Sequence, residues 1–336
     1  MRKKNGLERS LAVIGCGAVV EEFYAPGLKS LEKYGWSLVF VDATAERAHE
    51  MANRFHTAAA LSSVEAIVGQ ASHAIVATPP ASHYALCSQL LDAGIHVLCE
   101  KPLVLDPAEG QALVDRAARA HMKLHVNQTR RWFPASLAAK RLLSEGAIGE
   151  PTSVSVRFGA RFNWPAKTAF HSHPGLARHG ILSDQGAHTF DLIGWILGRE
   201  LDPLDVQHDG YAGPETTVRI EFLSGSVRGD AVMTWLVDNP SKVQFVGTKG
   251  RITLDDDCNR ALLQRGSEIL AVSGTSRYAA YHSIATDLLA AFVGGADNPS
   301  IAPAATVLPS VVFLDRAYRM ATASLPYVTA LGGASR

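Results

Sequence analysis

Between Leu11 and Val126, short runs of continuous apolar residues alternate with stretches of helical character. No other feature constrains the fold of this chain so strongly. Leu11–Gly15, Ser37–Asp42, Ala74–Thr78, His96–Cys99 and Lys123–Val126 read as strands. Helices are expected at about Val19–Tyr34, Ala45–Phe55 and Ser82–Ala93, the last stopped by Gly94. A fourth helix is announced by Asp106 as its cap, Pro107 at its first position and Glu109 where a capping box places it. Strands that are apolar along their whole length are buried on both faces. Strands separated by helices run parallel, so the pattern predicts a parallel sheet covered by helices on each side.

Beyond Val126 the pattern changes. A helix is expected at Pro134–Glu145, ending at Gly146. Strands of period two follow: Val154, Val156 and Phe158 alternate with Ser155 and Arg157, and Val218, Ile220 and Phe222 alternate with Arg219 and Glu221. More strands are expected at 226–236, 241–247 and 250–255. Period two marks a sheet with one face buried, so this region reads as α+β, with a mainly antiparallel open sheet and helices on one side. At 336 residues the chain exceeds what one hydrophobic core serves. Two domains are expected, 1–127 and 128–336.

Charge narrows the range of partners. Lys plus Arg and Asp plus Glu both number 32, which leaves no long-range field to draw in nucleic acid or an anionic membrane. Cys16, Cys87, Cys99 and Cys258 are scattered, with no CxxC pair, and read as thiols of a reducing compartment. Leu11–Ile14 is too short to be the core of a signal peptide, and no run approaches the ~20 apolar residues of a membrane span. A soluble cytoplasmic protein is expected.

Three motifs carry chemistry. The first strand passes into its helix through Gly15-Cys16-Gly17-Ala18-Val19-Val20. Gly15 permits the tight turn, and Gly17 lets backbone N–H groups approach a pyrophosphate at the helix N-terminus. Val20 stands where a third small residue is usual, and is expected to push the helix slightly off the sheet. Asp42 ends the second strand, where a carboxylate accepts adenosine ribose hydroxyls; its other reading is a cap for the next helix. This is the strand–turn–helix order of a Rossmann domain. Glu100-Lys101-Pro102 comes next, at the carboxyl end of a parallel strand, the edge where such sheets bind ligands. A Lys there can donate to an alcohol or carbonyl oxygen; the alternative is a surface Lys in a turn. The third motif, Asp184-xxx-His188, spaces a carboxylate and an imidazole for one face of a helix. His suits the removal of a hydroxyl proton near neutral pH, although a helix-starting Asp and a core His would give the same pattern.

Taken with Thr78-Pro79-Pro80, His83, Arg130-Arg131-Trp132-Phe133-Pro134, Asp191 and Gly247-Thr-Lys-Gly250, these motifs resemble the glucose-fructose oxidoreductase / inositol dehydrogenase family, from Leu11 to about Met320. The resemblance implies Lys101, Asp184 and His188 as the catalytic set, and a cis peptide before Pro102. It implies Gly15, Gly17, Ala18, Val19, Asp42, Thr78, Pro79, His83, Glu100 and Lys101 as cofactor-binding positions. The cofactor is expected to be NAD rather than NADP, because Asp42 opposes a 2′-phosphate and Ala43 offers it no positive charge, although Arg47 and Arg54 follow on the next helix. The substrate is expected to be a polyhydroxyl compound: a sugar, cyclitol or nucleotide-linked sugar. Arg130, Arg161 and Arg178 are candidates to grip an anionic group on it.

The family often carries a glycine cluster before the catalytic Asp, whereas this chain has Arg178-His179-Gly180 after His171 and His173. With Asp184 and His188 these histidines could be imagined around a metal, but no zinc-ligand spacing is present, and no metal is expected. NAD-dependent glycoside cleavage and a non-catalytic ligand sensor are the competing functions. A homodimer or homotetramer is expected, since an open sheet commonly hides its bare face in a partner.

Overall fold

The computed structural model describes residues 9–324 apart from 57, 162–179, 211–213, 256–258, 274–276 and 296–297. In chain order its elements are β1 (Ser10–Ile14), α1 (Ala25–Lys33), β2 (Ser37–Val41), α2 (Ala45–Ala52), β3 (Ala58–Leu61), β4 (His73–Val76), α3 (His83–Asp92), β5 (His96–Cys99), α4 (Pro107–Ala120) and β6 (Leu124–Val126). Then follow α5 (Pro134–Ser144), β7 (Pro151–Gly159), α6 (Ala187–Leu197), β8 (Asp202–His208), β9 (Thr217–Ser224), β10 (Val227–Thr234), β11 (Asn239–Gly247), β12 (Gly250–Asp255), β13 (Arg260–Arg265) and β14 (Glu268–Ser273). Last come α7 (Arg277–Gly294), β15 (Ala302–Pro303), α8 (Ala304–Met320) and β16 (Thr322–Ala323).

The chain divides into two compact units. One holds the chain through Gln128 and takes back Tyr278–Leu308; the other begins at Thr129, runs to Arg277 and resumes at Pro309. The first crossing falls between Gln128 and Thr129, and the chain beyond it is not one piece. The return segment contains β15, which pairs antiparallel with β6, and α7, whose Phe292 is fully buried in the first unit.

The sheet of the first unit runs β15-β6-β5-β4-β1-β2-β3. Its strands are parallel apart from β15. β1 and β4 are buried throughout, as apolar strands covered on both faces must be. The strand order reverses between β1 and β4, so the crevice at their carboxyl ends is the place for a ligand. β3 is missing from the sequence expectations because Ala58-Ala59-Ala60 favours helix; its pairing with β2 makes it a strand. α4 starts as expected, with Asp106 Oδ1 accepting from the Ala108 N–H (2.8 Å).

The sheet of the second unit has nine strands, in the order β14-β13-β12-β11-β7-β10-β9-β8-β16. It is mainly antiparallel, with parallel pairs at β7–β10 and β8–β16. Val218, Ile220 and Phe222 are buried, and Arg219 and Glu221 are exposed, as period two demands. On the buried side Phe190 of α6, Phe222 of β9 and Phe313 of α8 stack at ring-centroid distances of 4.3–6.1 Å, so both helices pack on one face. Among the described residues, no helix is long and apolar enough to cross a membrane.

Candidate functional site

The glycine turn of the first unit is built for close approach. Gly15 has φ +90°, and a Cβ there would stand 2.5 Å from the Ala77 carbonyl oxygen, so only glycine fits. A Cβ on Gly17 would meet nothing within 4 Å. That face of the turn is therefore open, and Gly17, Ala18 and Val19 are partly exposed around it. These residues fit a pyrophosphate held on backbone N–H groups. The helix expected from Val19 is interrupted close to its start. A π-helical turn, Val20–Tyr24, precedes α1, and Val20 is fully buried within it.

Asp42 braces this turn. Its Oδ2 accepts from the Cys16 N–H (2.8 Å) and its Oδ1 from the Thr44 N–H (2.8 Å), so it serves both the glycine loop and the approach to α2. The Arg47 guanidinium lies 3.8 Å from Oδ1. Burial, with the Asp42 charge adding to it, pushes the Cys16 thiol up to about 12. Arg54 is turned to Glu21, 3.6 Å away.

At the carboxyl ends of β4 and β5, Thr78, Pro79 and Lys101 are at least partly exposed, and the Lys101–Pro102 peptide is cis. His83 is wholly buried. Its Nε2 lies 2.8 Å from the Thr78 carbonyl oxygen, and its Nδ1 lies 2.9 Å from that of Pro102 and 3.1 Å from that of Leu103. Burial lowers its pKa, with the carbonyls pulling the other way. This ring ties the two loops together from beneath, and its service to a ligand is indirect. Glu100 is buried too. The Tyr24 hydroxyl (2.8 Å) and the Asn127 amide (2.7 Å) donate to its Oε1, and the Lys101 N–H donates to its Oε2 (3.2 Å). Neither Tyr24 nor Asn127 was legible as a site residue, because nothing near them in sequence marks what they touch.

In the second unit a π-helical turn, Leu182–Gly186, leads into α6 and carries Asp184; His188 lies in the first turn of α6 itself. Both side chains are partly exposed. Gln185 Nε2 donates to Asp184 Oδ2 (2.8 Å), and Gln185 Oε1 accepts from Arg130 Nη2 (3.0 Å). Arg130 also donates to Thr189 Oγ1 (2.7 Å) and is buried. It is thus a support behind Asp184, where the sequence suggested a grip on substrate. Glu215, invisible in the sequence, holds the helix start: its Oε2 accepts from the Gly180 N–H (2.9 Å), and its Oε1 from the Leu182 N–H (3.0 Å) and the Tyr318 hydroxyl (2.7 Å). A Cβ on Gly180 would lie 1.9 Å from the Glu215 carbonyl oxygen, which explains the glycine there. Burial, reinforced by the Glu215 charge, raises the Tyr318 pKa well above its ordinary value.

Arg131 and Arg161 are engaged with carboxylates. Arg131 forms a bidentate, buried pair with Asp191 (2.8 and 2.6 Å), so that motif carboxylate is a packing element. Arg161 is exposed and pairs with Asp238 at 3.5 Å. Arg178, His171, His173 and His179 lie outside the described residues. Among the described residues, no group of three or more His, Cys, Asp or Glu could hold a metal ion.

Comparison with known proteins shows the family of the chain. A family profile described as "Oxidoreductase family, NAD-binding Rossmann fold" matches residues 9–128, and one described as "GFO/IDH/MocA C-terminal domain" matches residues 136–294. A D-apiose dehydrogenase of Paraburkholderia graminis is 34% identical over 146 residues, 43% of this chain and 36% of that protein. A scyllo-inositol 2-dehydrogenase (NADP(+)) of Bacillus subtilis is 28% identical over 183 residues, 54% of this chain and 49% of that one. The match thus spans about half or less of these relatives' length. The crystal structure of an oxidoreductase from Thermotoga maritima superposes with a TM-score of 0.80, covering 93% of this chain and 96% of that one; at 22% identity the likeness is one of fold.

Proposed function

Because the chain belongs to the GFO/IDH/MocA oxidoreductase family, we propose that it is an NAD-dependent dehydrogenase acting on a secondary alcohol of a sugar, cyclitol or nucleotide-linked sugar. The observation that carries this reading is Lys101, partly exposed at the ligand edge of a parallel sheet whose glycine turn is open for a dinucleotide. The cofactor, when bound, supplies the hydride acceptor. His188 takes the hydroxyl proton, and Asp184 stabilises the imidazolium that results. Lys101 donates a hydrogen bond to the substrate oxygen as alkoxide character develops. Gly15, Gly17, Ala18, Val19, Asp42, Thr78 and Pro79 line the dinucleotide.

NAD is favoured over NADP because the Asp42 carboxylate stands where a 2′-phosphate would meet like charge, with Arg47 softening the penalty. Named relatives include an NADP-dependent enzyme, so the preference is a property of this chain to be measured. The buried free thiols Cys16, Cys87 and Cys99 support a reducing, cytoplasmic setting. The open sheet of the second unit supports a homo-oligomer, which light scattering would size. The test of the activity is an NAD⁺ reduction screen against sugars, inositols and nucleotide sugars, with Lys101→Met as control. Reduction by none of these classes, or full activity in the Lys101→Met variant, counts against the proposal.

A further inference from the structure

Lys101 is a side chain on a short strand end, and its neighbour Glu100 is buried where a carboxylate needs donors. Glu100 is 8% exposed, Tyr24 fully buried and Asn127 2% exposed. Oε1 is held by two side chains from distant segments, 76 and 27 residues away in the chain, and Oε2 takes the N–H of Lys101 itself. Two further observations say that this arrangement is imposed. Tyr24 closes a π-helical turn in which the Ala25 N–H reaches back to the Val20 carbonyl, and such turns are concentrated at functional sites. Asn127 spends its amide N–H on Glu100 while its Oδ1, buried, has no hydrogen-bond partner among the described residues. A buried acceptor left without a donor costs about 1–3 kcal/mol. The amide cannot turn over to relieve this, because its carbonyl would then face the carboxylate.

We infer that Tyr24 and Asn127 are positioning residues for Lys101, acting through the Glu100 carboxylate that fixes the Lys101 backbone. The inference rests on the reading of Lys101 given above. A carboxylate clamped from one side by a phenol and an amide cannot swing, so the peptide N–H it accepts is held in place. The Lys101 side chain then leaves the backbone in one direction. The titratable groups facing Glu100 are Tyr24, His83 and Cys99, together with Lys101 next in the chain. Tyr24 is raised well above its ordinary pKa by burial and by the Glu100 charge, and it remains a donor throughout the working range.

The test uses the full chain and two near-isosteric variants, Tyr24→Phe and Asn127→Asp, with Lys101→Met alongside. Misplacing a catalytic group from a distance costs up to roughly a hundredfold, so Tyr24→Phe should lower kcat by roughly ten- to a hundredfold. Its NADH dissociation constant, read by fluorescence, should barely move. Asn127→Asp replaces a donor by a second carboxylate beside Glu100, and a pair so placed favours sharing a proton. Its turnover relative to wild type should therefore rise as pH falls, which a packing role would not produce. Hydrogen exchange supplies a readout independent of substrate: in both variants the Lys101 amide should exchange faster while those of Val97, Leu98 and Cys99 keep their protection. Near-wild-type turnover in both variants, with Lys101→Met crippled, overturns this inference alone. Full activity in Lys101→Met overturns the catalytic reading instead, and unchanged exchange at Lys101 then overturns the positioning as well.

Discussion

A tyrosine paired with a buried glutamate stands behind the candidate chemistry in each unit, but the two glutamates are used differently. Glu100 is gripped by the side chains of Tyr24 and Asn127 and gives one oxygen to a single backbone N–H. Glu215 gives both oxygens to backbone N–H groups, those of Gly180 and Leu182, with Tyr318 added to one of them. In the first unit a carboxylate held by side chains aims one residue. In the second, a carboxylate substitutes for the missing cap of a helix start, where negative charge is favoured and free N–H groups need an acceptor. Disturbing the first arrangement should cost little stability, whereas disturbing the second, which is part of the fold, should cost more.

The largest expected effect tests whether the second helix start carries the base. His188→Ala should lower turnover by about 10²–10⁴, the range that general acid–base catalysis supplies, with NADH affinity unchanged by calorimetry. In the oxidative direction wild-type turnover should rise with pH as the imidazole loses its proton, and that limb should vanish in the variant. Near-wild-type turnover would move the base elsewhere and leave Asp184 and His188 as packing residues.

The next prediction bears on the contrast itself. Glu215→Ala strips the Gly180 and Leu182 N–H groups and the Tyr318 hydroxyl of a buried acceptor, and should destabilise the protein by about 3 kcal/mol in urea denaturation. Tyr24→Phe, which removes one of several donors to Glu100, should cost only about 1 kcal/mol. Equal costs would erase the distinction between a side-chain clamp and a backbone cap.

Acid should separate the two units. In the first, His73, His96, His125 and Phe292 gather with ring centroids 4.9–5.9 Å apart, and burial lowers His73 and His125 to about 4, helped by Lys123 and His96. The unfolded chain takes up these protons near 6.5 and the folded one only near 4. The stability they contribute is therefore present above pH 6.5 and is lost as pH falls toward 4. Hydrogen exchange between pH 7 and 4.5 should show β4, β5 and α7 losing protection before β9 and β10. His73→Phe should flatten the dependence, and a pH-independent pattern would refute the account.

The smallest effect concerns the dinucleotide. NADH should bind at least about tenfold more tightly than NADPH, ~1.4 kcal/mol. Arg47→Ala should widen the gap, since Arg47 lies 3.8 Å from Asp42 and offsets its negative charge. Equal affinities in the wild type would show that Arg47 outweighs Asp42.

The sequence by itself determined the features that depend on a few neighbouring residues. Continuous apolar runs fixed the parallel sheet, and period two fixed the buried face of the second sheet. Asp106-Pro107 fixed a helix start, and Gly15 fixed a turn that no side chain fits. The position of Lys101 at a strand end followed from the same local rules. Only the tertiary structure decided which partners the charged groups take. Arg130 supports Gln185, Arg131 locks Asp191, Asp42 braces the Cys16 N–H, and Tyr24, Asn127, Glu215 and Tyr318 enter the site unannounced. The structure also decided that β3 is a strand and that Tyr278–Leu308 returns to the first unit. The physical reason is range. Backbone preference and hydrophobic periodicity act within a turn or a strand, whereas a buried charge is satisfied by whatever donor the fold brings to it, and that donor lies 76 residues away for Glu100 and 103 for Glu215.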